Sequence, residues 1–251
     1  MKERLLLIAG CSHAAGSEID GTEDSVYNRQ HSFGNLLAVN LNRKAINIAS
    51  NAANNQCIAR SIIEWFNDHY HSESMDLVVL VAWTESSRID VPMERTTWHE
   101  KWNPASDYVS KTSRDYIRVN LGYKGSGKEE MDVIAGCHQF IANNLTYIEI
   151  ISANLILQIQ YFLKLKQVES IMCNTMHMFT SARQLDFYID QIDQSCYLDL
   201  KDNEQSFYWK YKSAGYVNNK AKYWHHGEEP HSLYAEELYK LYINKYNIGT
   251  L

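Results

Sequence analysis

Three features of this 251-residue chain predict an α/β fold, with helices layered on both faces of a central, mostly parallel sheet. Short continuous apolar runs closed by turn residues recur along it, as strands buried on both faces require. Segments with helical spacing lie between them, the alternation that produces parallel strands joined by crossover helices. No internal repeat, low-complexity tract or flexible linker interrupts the pattern, so residues 1–251 read as one domain. With 45% hydrophobic and 22% charged residues, a chain of this length can bury a core without disulfides or metal.

The elements follow in order. "RLLLIAG", residues 4–10, is a first buried strand closed by Gly10. With Lys2 and Arg4 before it and Cys11 after it, this stretch also has the outline of a lipoprotein signal. Glu3 in its charged part and an apolar run of only Leu5 to Ala9 favour the strand. "KAINIAS", residues 44–50, is a second strand, and "SMDLVVLVAW", residues 74–83, is the clearest of all. Between them, Cys57, Ile58, Ile62, Trp65 and Phe66 recur at helical spacing. Residues 89–130 are polar, aromatic and turn-rich and read as an insertion or lid. Its Trp98, Trp102, Tyr108, Tyr116 and Tyr123 are candidates for pocket lining or for packing. A helical stretch over residues 131–166 and a strand in "VESIMCNT", residues 168–175, come next. Residues 181–221 are polar and Tyr-rich with weak periodicity. Leu233, Tyr234, Leu238, Leu241 and Tyr242 mark one face of a last helix that Pro230 suits as a start.

A net charge of -6 provides no general field for nucleic acid or anionic lipid. The five cysteines, Cys11, Cys57, Cys137, Cys173 and Cys196, are scattered and form no CxxC pair. That spacing points away from a disulfide framework or structural zinc and toward a reducing, cytoplasmic setting. "IISANLILQIQYFL", bounded by Glu149 and Lys164, is short for a membrane span. Neither nucleic acid nor a membrane is expected as a partner; a homo-oligomer is compatible with this reading.

In an open parallel sheet, ligands bind at the carboxyl ends of the strands. Four segments fall there or near the chain's end: Gly10-Cys11-Ser12-His13-Ala14-Ala15-Gly16, "NIASNAANNQ" from Asn47, "AWTESSR" from Ala82 and "WHHGEEPH" from Trp224. In this order they resemble the blocks of the SGNH (GDSL) hydrolase family, and more closely the SGNH-like proteins of tailed phages, whose first block tends to read GCSxxxG. The resemblance spans the chain at block level and leaves the middle and the insertion unmatched. It implies a flavodoxin-like SGNH fold and an esterase or O-deacetylase acting on a small-molecule or carbohydrate ester, without cofactor or metal; a phage protein would work in the host cytoplasm.

The first-block serine is the family's nucleophile, which carries over to Ser12. Asn47-x-Ala49-x-x-Ala52 stands where the family has Asn-x-Gly-x-x-Gly, so the Ala52 N–H joins the Ser12 N–H as an oxyanion donor. Ala82-Trp83-Thr84-Glu85 replaces Gly-x-Asn-Asp and puts Thr84 at the oxyanion asparagine. Asn55 and Arg88 are candidate substrate contacts, Arg88 for a carboxylate or phosphate. A serine where a buried strand turns into a helix also has physical merit, since its N–H lies at a helix N-terminus that favours an oxyanion.

A neutral hydroxyl still needs a base. The family's last block reads Asp-x-x-His-Pro-x-x-x-Gly, with an aromatic or His six positions after the catalytic His and an Ala ten after it. Counting from His225 puts His231 and Ala235 in those places and Lys222 at the Asp position. Counting from His231 puts Glu228 three before it and loses the Ala register. His225 is favoured, with His231 and Glu228 as the alternative. An imidazole base also needs a group to hold its tautomer; Asp199, Asp202 and Glu228 are the candidates.

The departures at Thr84 and Lys222 motivate a second reading, a phage binding or assembly protein that keeps the fold without activity. "HHGEEPH" also offers imidazoles and carboxylates to a metal, although no further ligand spacing and no HExxH pattern accompanies it. "GYKGSGKEE", residues 122–130, approximates a phosphate loop, but Glu129 stands where a Ser or Thr is needed, and a solvated turn fits better.

Overall fold

The structure is a computed structural model and describes residues 2–92, 105–108, 116–119, 128–180 and 183–246. Its strands are β1 (Glu3–Gly10), β2 (Lys44–Asn47), β3 (Met75–Trp83), β4 (Ile89–Pro92), β5 (Tyr116–Val119), β6 (Glu169–Asn174) and β7 (Tyr197–Leu198). Its helices are α1 (Ser12–Ala15), α2 (Val26–Gln30), α3 (Phe33–Asn40), α4 (Asn55–His69), α5 (Lys128–Asn143), α6 (Leu145–Leu165), α7 (Arg183–Ile189), α8 (Phe207–Ser213) and α9 (Glu228–Tyr246).

Continuous apolar sequence puts β1 and β3 at the centre of the sheet, because only there are both faces of a strand covered. They run parallel, in register from Glu3 with Met75 to Gly10 with Ala82. The order is β2-β1-β3-β6-β7, with every pairing parallel. Alternating side chains divide the core into two layers. Leu5, Leu7, Val79 and Val81 meet Ile58, Ile62 and Trp65 of α4 and Ile156 and Ile159 of α6. Leu6, Ile8, Val78 and Leu80 meet Phe33 and Leu37 of α3 and Tyr234, Leu238 and Tyr242 of α9. Each fully buried Leu, Ile or Phe contributes about 1.5–3 kcal/mol. The three-layer α/β fold is therefore as the apolar runs predict.

Other expectations need correction. The single helical stretch is two helices, interrupted at Asn144 with φ -132° and ψ 32°. By length and composition, α6 is long and apolar enough to cross a membrane, because its helical turns continue past Glu149 to Leu145. Glu149 is buried, however, and accepts hydrogen bonds from the Thr180 N–H and hydroxyl. Ile148, Ser152, Ala153, Ile156 and Ile159 are buried along the same helix, as in a core helix. The stretch without periodicity holds α7, β7, α8 and the 3-10 turns Gln194–Cys196 and Asn203–Gln205, each too short to establish a period.

Within the insertion, β4 and β5 pair antiparallel as a separate two-stranded sheet. β5 is thus not the parallel strand from which a phosphate loop springs. Residues 105–108 run beside β2: the Asp107 N–H donates to Asn47 O at 3.2 Å, and Asp107 Oδ2 accepts the Asn47 N–H at 2.5 Å. Tyr108 donates to Asp68, and Tyr116 lies 4.0 Å beneath the Arg60 guanidinium, so both rings serve packing. Trp98, Trp102, Tyr123 and residues 122–127 lie outside the described residues.

Candidate active site

The turn that presents Ser12 leaves no spare volume. A Cβ on Gly10 would sit 2.6 Å from Ala14 Cβ and 2.9 Å from Ala82 O, so only glycine lets β1 end this close to β3. Cys11 is buried, with Sγ 3.2 Å from Thr175 Oγ1. Ser12 opens α1, where the first backbone N–H groups have no partner within the helix. Gly16 ends the turn at φ 75°, and a Cβ there would fall 2.3 Å from Asn28 O.

Two residues further on, the chain turns back at Glu18, whose φ of 62° is left-handed. Non-glycine residues take this conformation rarely and at a cost of about 1–2 kcal/mol. The turn aims a carboxylate, 1% exposed, at the loop that precedes α9. Glu18 Oε1 accepts the Lys222 N–H, and both of its oxygens accept the Tyr223 N–H. Oε2 lies 2.6 Å from His225 Nδ1, and His225 Nε2 lies 2.8 Å from Ser12 Oγ. Serine, imidazole and carboxylate thus form one hydrogen-bonded chain. Burial raises the Glu18 pKa, but the bonds from His225, Tyr223 and Lys222 outweigh it and hold the carboxyl below its ordinary value.

Residue 222 therefore takes part without supplying an acid: its backbone N–H binds the carboxylate that Glu18 brings from the opposite side. Sequence reasoning missed Glu18 because it sought the acid three residues before the histidine. The available signal was an acidic residue just after the left-handed Gly16, short enough in path to return toward Ser12.

The other candidates are placed elsewhere. His231 is buried, and its Nδ1 accepts the Phe33 N–H at 3.1 Å, away from the serine. Glu228 accepts from the Tyr27 hydroxyl. Asp202 caps the 3-10 turn by accepting the Glu204 N–H, and Asp199 O accepts the Asp202 N–H; the acid on His225 is Glu18. His226 Nε2 bonds Tyr208 O. The "HHGEEPH" side chains thus diverge, and among the described residues no group of three or more His, Cys, Asp or Glu is arranged to hold a metal.

Ala52 lies in the β2–α4 loop at φ 57°, and no partner for its N–H occurs among the described residues. Thr84 follows β3 and is fully buried. Its N–H donates to Asn55 Oδ1 at 2.9 Å, and its hydroxyl, unpartnered among the described residues, is enclosed by the protein, so the oxyanion role expected of Thr84 is corrected: it offers no donor at the surface. Asn55 is corrected as a substrate contact: it is 3% exposed, and its amide nitrogen donates to Thr84 O and Ser152 Oγ. Arg88 pairs with Glu85 at 2.6 Å. His13, which the motif reading did not single out, packs its ring 4.9 Å from that of His225. Burial foremost, then nearby His225, His226, Arg88 and His231, push its pKa well below 6.5. The His225 ring therefore rests against a neutral imidazole.

No protein-family model matches the chain, and no curated protein matches it. Among solved structures, an acetyl xylan esterase from the rumen bacterium Butyrivibrio proteoclasticus aligns over 98% of this chain and 65% of its own, at 12% identity and TM-score 0.48. A family two carbohydrate esterase from Clostridium thermocellum, solved with cellohexaose, aligns over 98% of this chain and 65% of its own, at 14% identity and TM-score 0.44. The chain thus spans 65% of the length of each.

Proposed function

We propose that the protein is a serine esterase of the SGNH type, and the observation that carries this reading is the unbroken Ser12–His225–Glu18 chain of hydrogen bonds. Ser12 Oγ attacks the ester carbonyl carbon as its proton passes to His225 Nε2. Glu18, below its ordinary pKa, stabilises the imidazolium and fixes the proton on Nδ1. The carbonyl oxygen becomes an oxyanion that accepts from the Ser12 and Ala52 N–H groups. The C–O bond to the alcohol then breaks, and the alcohol leaves with the proton from His225. Water repeats the sequence on the acyl-serine and releases the acid.

An O-acylated carbohydrate is the substrate class the surroundings favour. Tyr223 and Trp224, 51% and 75% exposed, immediately precede His225 on a backbone held by Glu18. Flat apolar ring faces with a polar edge suit a sugar ring better than they suit a long acyl chain, which calls for an enclosed pocket. The carboxylate from Glu18 also removes one of the two motives for a non-catalytic reading, the missing acid at residue 222.

A fluorophosphonate probe tests the proposal. Wild type is expected to be labelled and Ser12→Ala not at all, with His225→Ala labelled at least about 100-fold more slowly. Folded wild type that resists the probe and hydrolyses neither p-nitrophenyl acetate nor an acetylated xylo-oligosaccharide would count against the esterase.

A further inference from the structure

We infer that Asp107 and the buried Asp24–Arg29 pair are positioning residues for the loop carrying Ala52, so that the inserted segment braces the oxyanion site. The inference rests on the role proposed above for the Ala52 N–H.

That loop leaves β2 at Asn47, where the bracing contacts converge. Arg29 is 4% exposed and commits its donors entirely inside the protein. Nε and Nη2 bind the two oxygens of Asp24 at 2.9 and 3.2 Å. Nη1 binds Asn47 O, Asn47 Oδ1 and Ala49 O at 3.1, 3.2 and 3.0 Å. Asp24 Oδ2 also accepts the Ala105 N–H at 3.0 Å, which ties the inserted segment to the same guanidinium. Asp107 completes the tie by exchanging two hydrogen bonds with the Asn47 backbone.

Further along, the Ser50 N–H is held by Gly10 O at the foot of the serine turn. Asn51 accepts from Ser17 Oγ and donates to Glu23 O. Ala52 is thus the left-handed residue of a loop fixed from three directions. A strained conformation persists only where its surroundings over-determine it, and a shift of about 1 Å in a donor is enough to lower turnover markedly. A bidentate, five-donor guanidinium cannot be replaced by a lysine ammonium without loss of contacts.

Asp107 is exposed, so its variants test the brace with little risk to folding. Asp107→Ala is expected to lower kcat on p-nitrophenyl acetate about tenfold, with KM within twofold, and to slow fluorophosphonate labelling in parallel. Asp107→Asn retains an oxygen for the Asn47 N–H and is expected to recover most of that loss. Arg29→Lys is expected to reproduce the kcat defect in whatever fraction folds. Labelled wild type together with unaltered Asp107→Ala and Arg29→Lys overturns the inference alone. A fall in kcat that tracks a fall in Tm, without rescue by Asp107→Asn, also overturns it, leaving a merely structural contact. Unlabelled wild type overturns the esterase and this inference with it.

Discussion

Glu18 is the residue on which the site turns, because one carboxylate both orients His225 and pins the backbone of Lys222 and Tyr223. Glu18→Gln keeps the shape but offers an amide in place of a charge, and the imidazole can then settle in the wrong tautomer. It is expected to lower kcat by about 10²- to 10⁴-fold with little change in KM, measured by ester hydrolysis under saturating and limiting substrate. Ser12 and His225 are legible in the sequence because each stands in a run with fixed spacing, "GCSHAAG" in one case and the His231 and Ala235 register in the other. Glu18 is not, since its reach depends on a left-handed backbone at a non-glycine residue, which no local pattern announces. Asn55 fails for a related reason: an amide near a strand end serves a substrate or a backbone equally well, and here Thr84 takes both its ends.

At the scale of elements, the close meeting of β1, α1 and β3 at Gly10 is the tightest joint near the serine. Gly10→Ala is expected to destabilise the protein by about 1–3 kcal/mol, because the Ala82 carbonyl that the new methyl meets belongs to a central strand and cannot move aside. A thermal melt against wild type checks this, and an unchanged midpoint would show that β1 and β3 can separate. The strands β1, β3 and β6 are legible because burial on both faces demands uninterrupted apolar sequence. By contrast β7 has two residues and α3 eight, too few for a period to emerge. The break between α5 and α6 rests on one asparagine, a residue that tolerates both helix interior and helix end.

Across the whole molecule, acid is expected to act first through histidines. His13, His226 and His231 are all buried, and burial sets each below 6.5. Below pH 6.5 the unfolded chain binds protons that the folded one refuses, so stability is full above that pH and falls as pH drops toward the depressed values. Each proton taken up costs about 1.4 kcal/mol per pH unit. The Glu18 contribution persists to lower pH, since it is present above the ordinary 4.5 and is lost only through a still lower value. Thermal midpoints are thus expected to decline between pH 6.5 and 5, whereas a flat profile would show that the three rings accept protons in place. The separation of 207 positions between Glu18 and His225 bears on biosynthesis as well. A ribosome delivers the serine and its acid long before the imidazole, so the nascent chain carries an unactivated hydroxyl until the last loop closes. The hydrogen-bonded chain from Ser12 to Glu18 is therefore complete only once the loop before α9 has folded back onto the first turn.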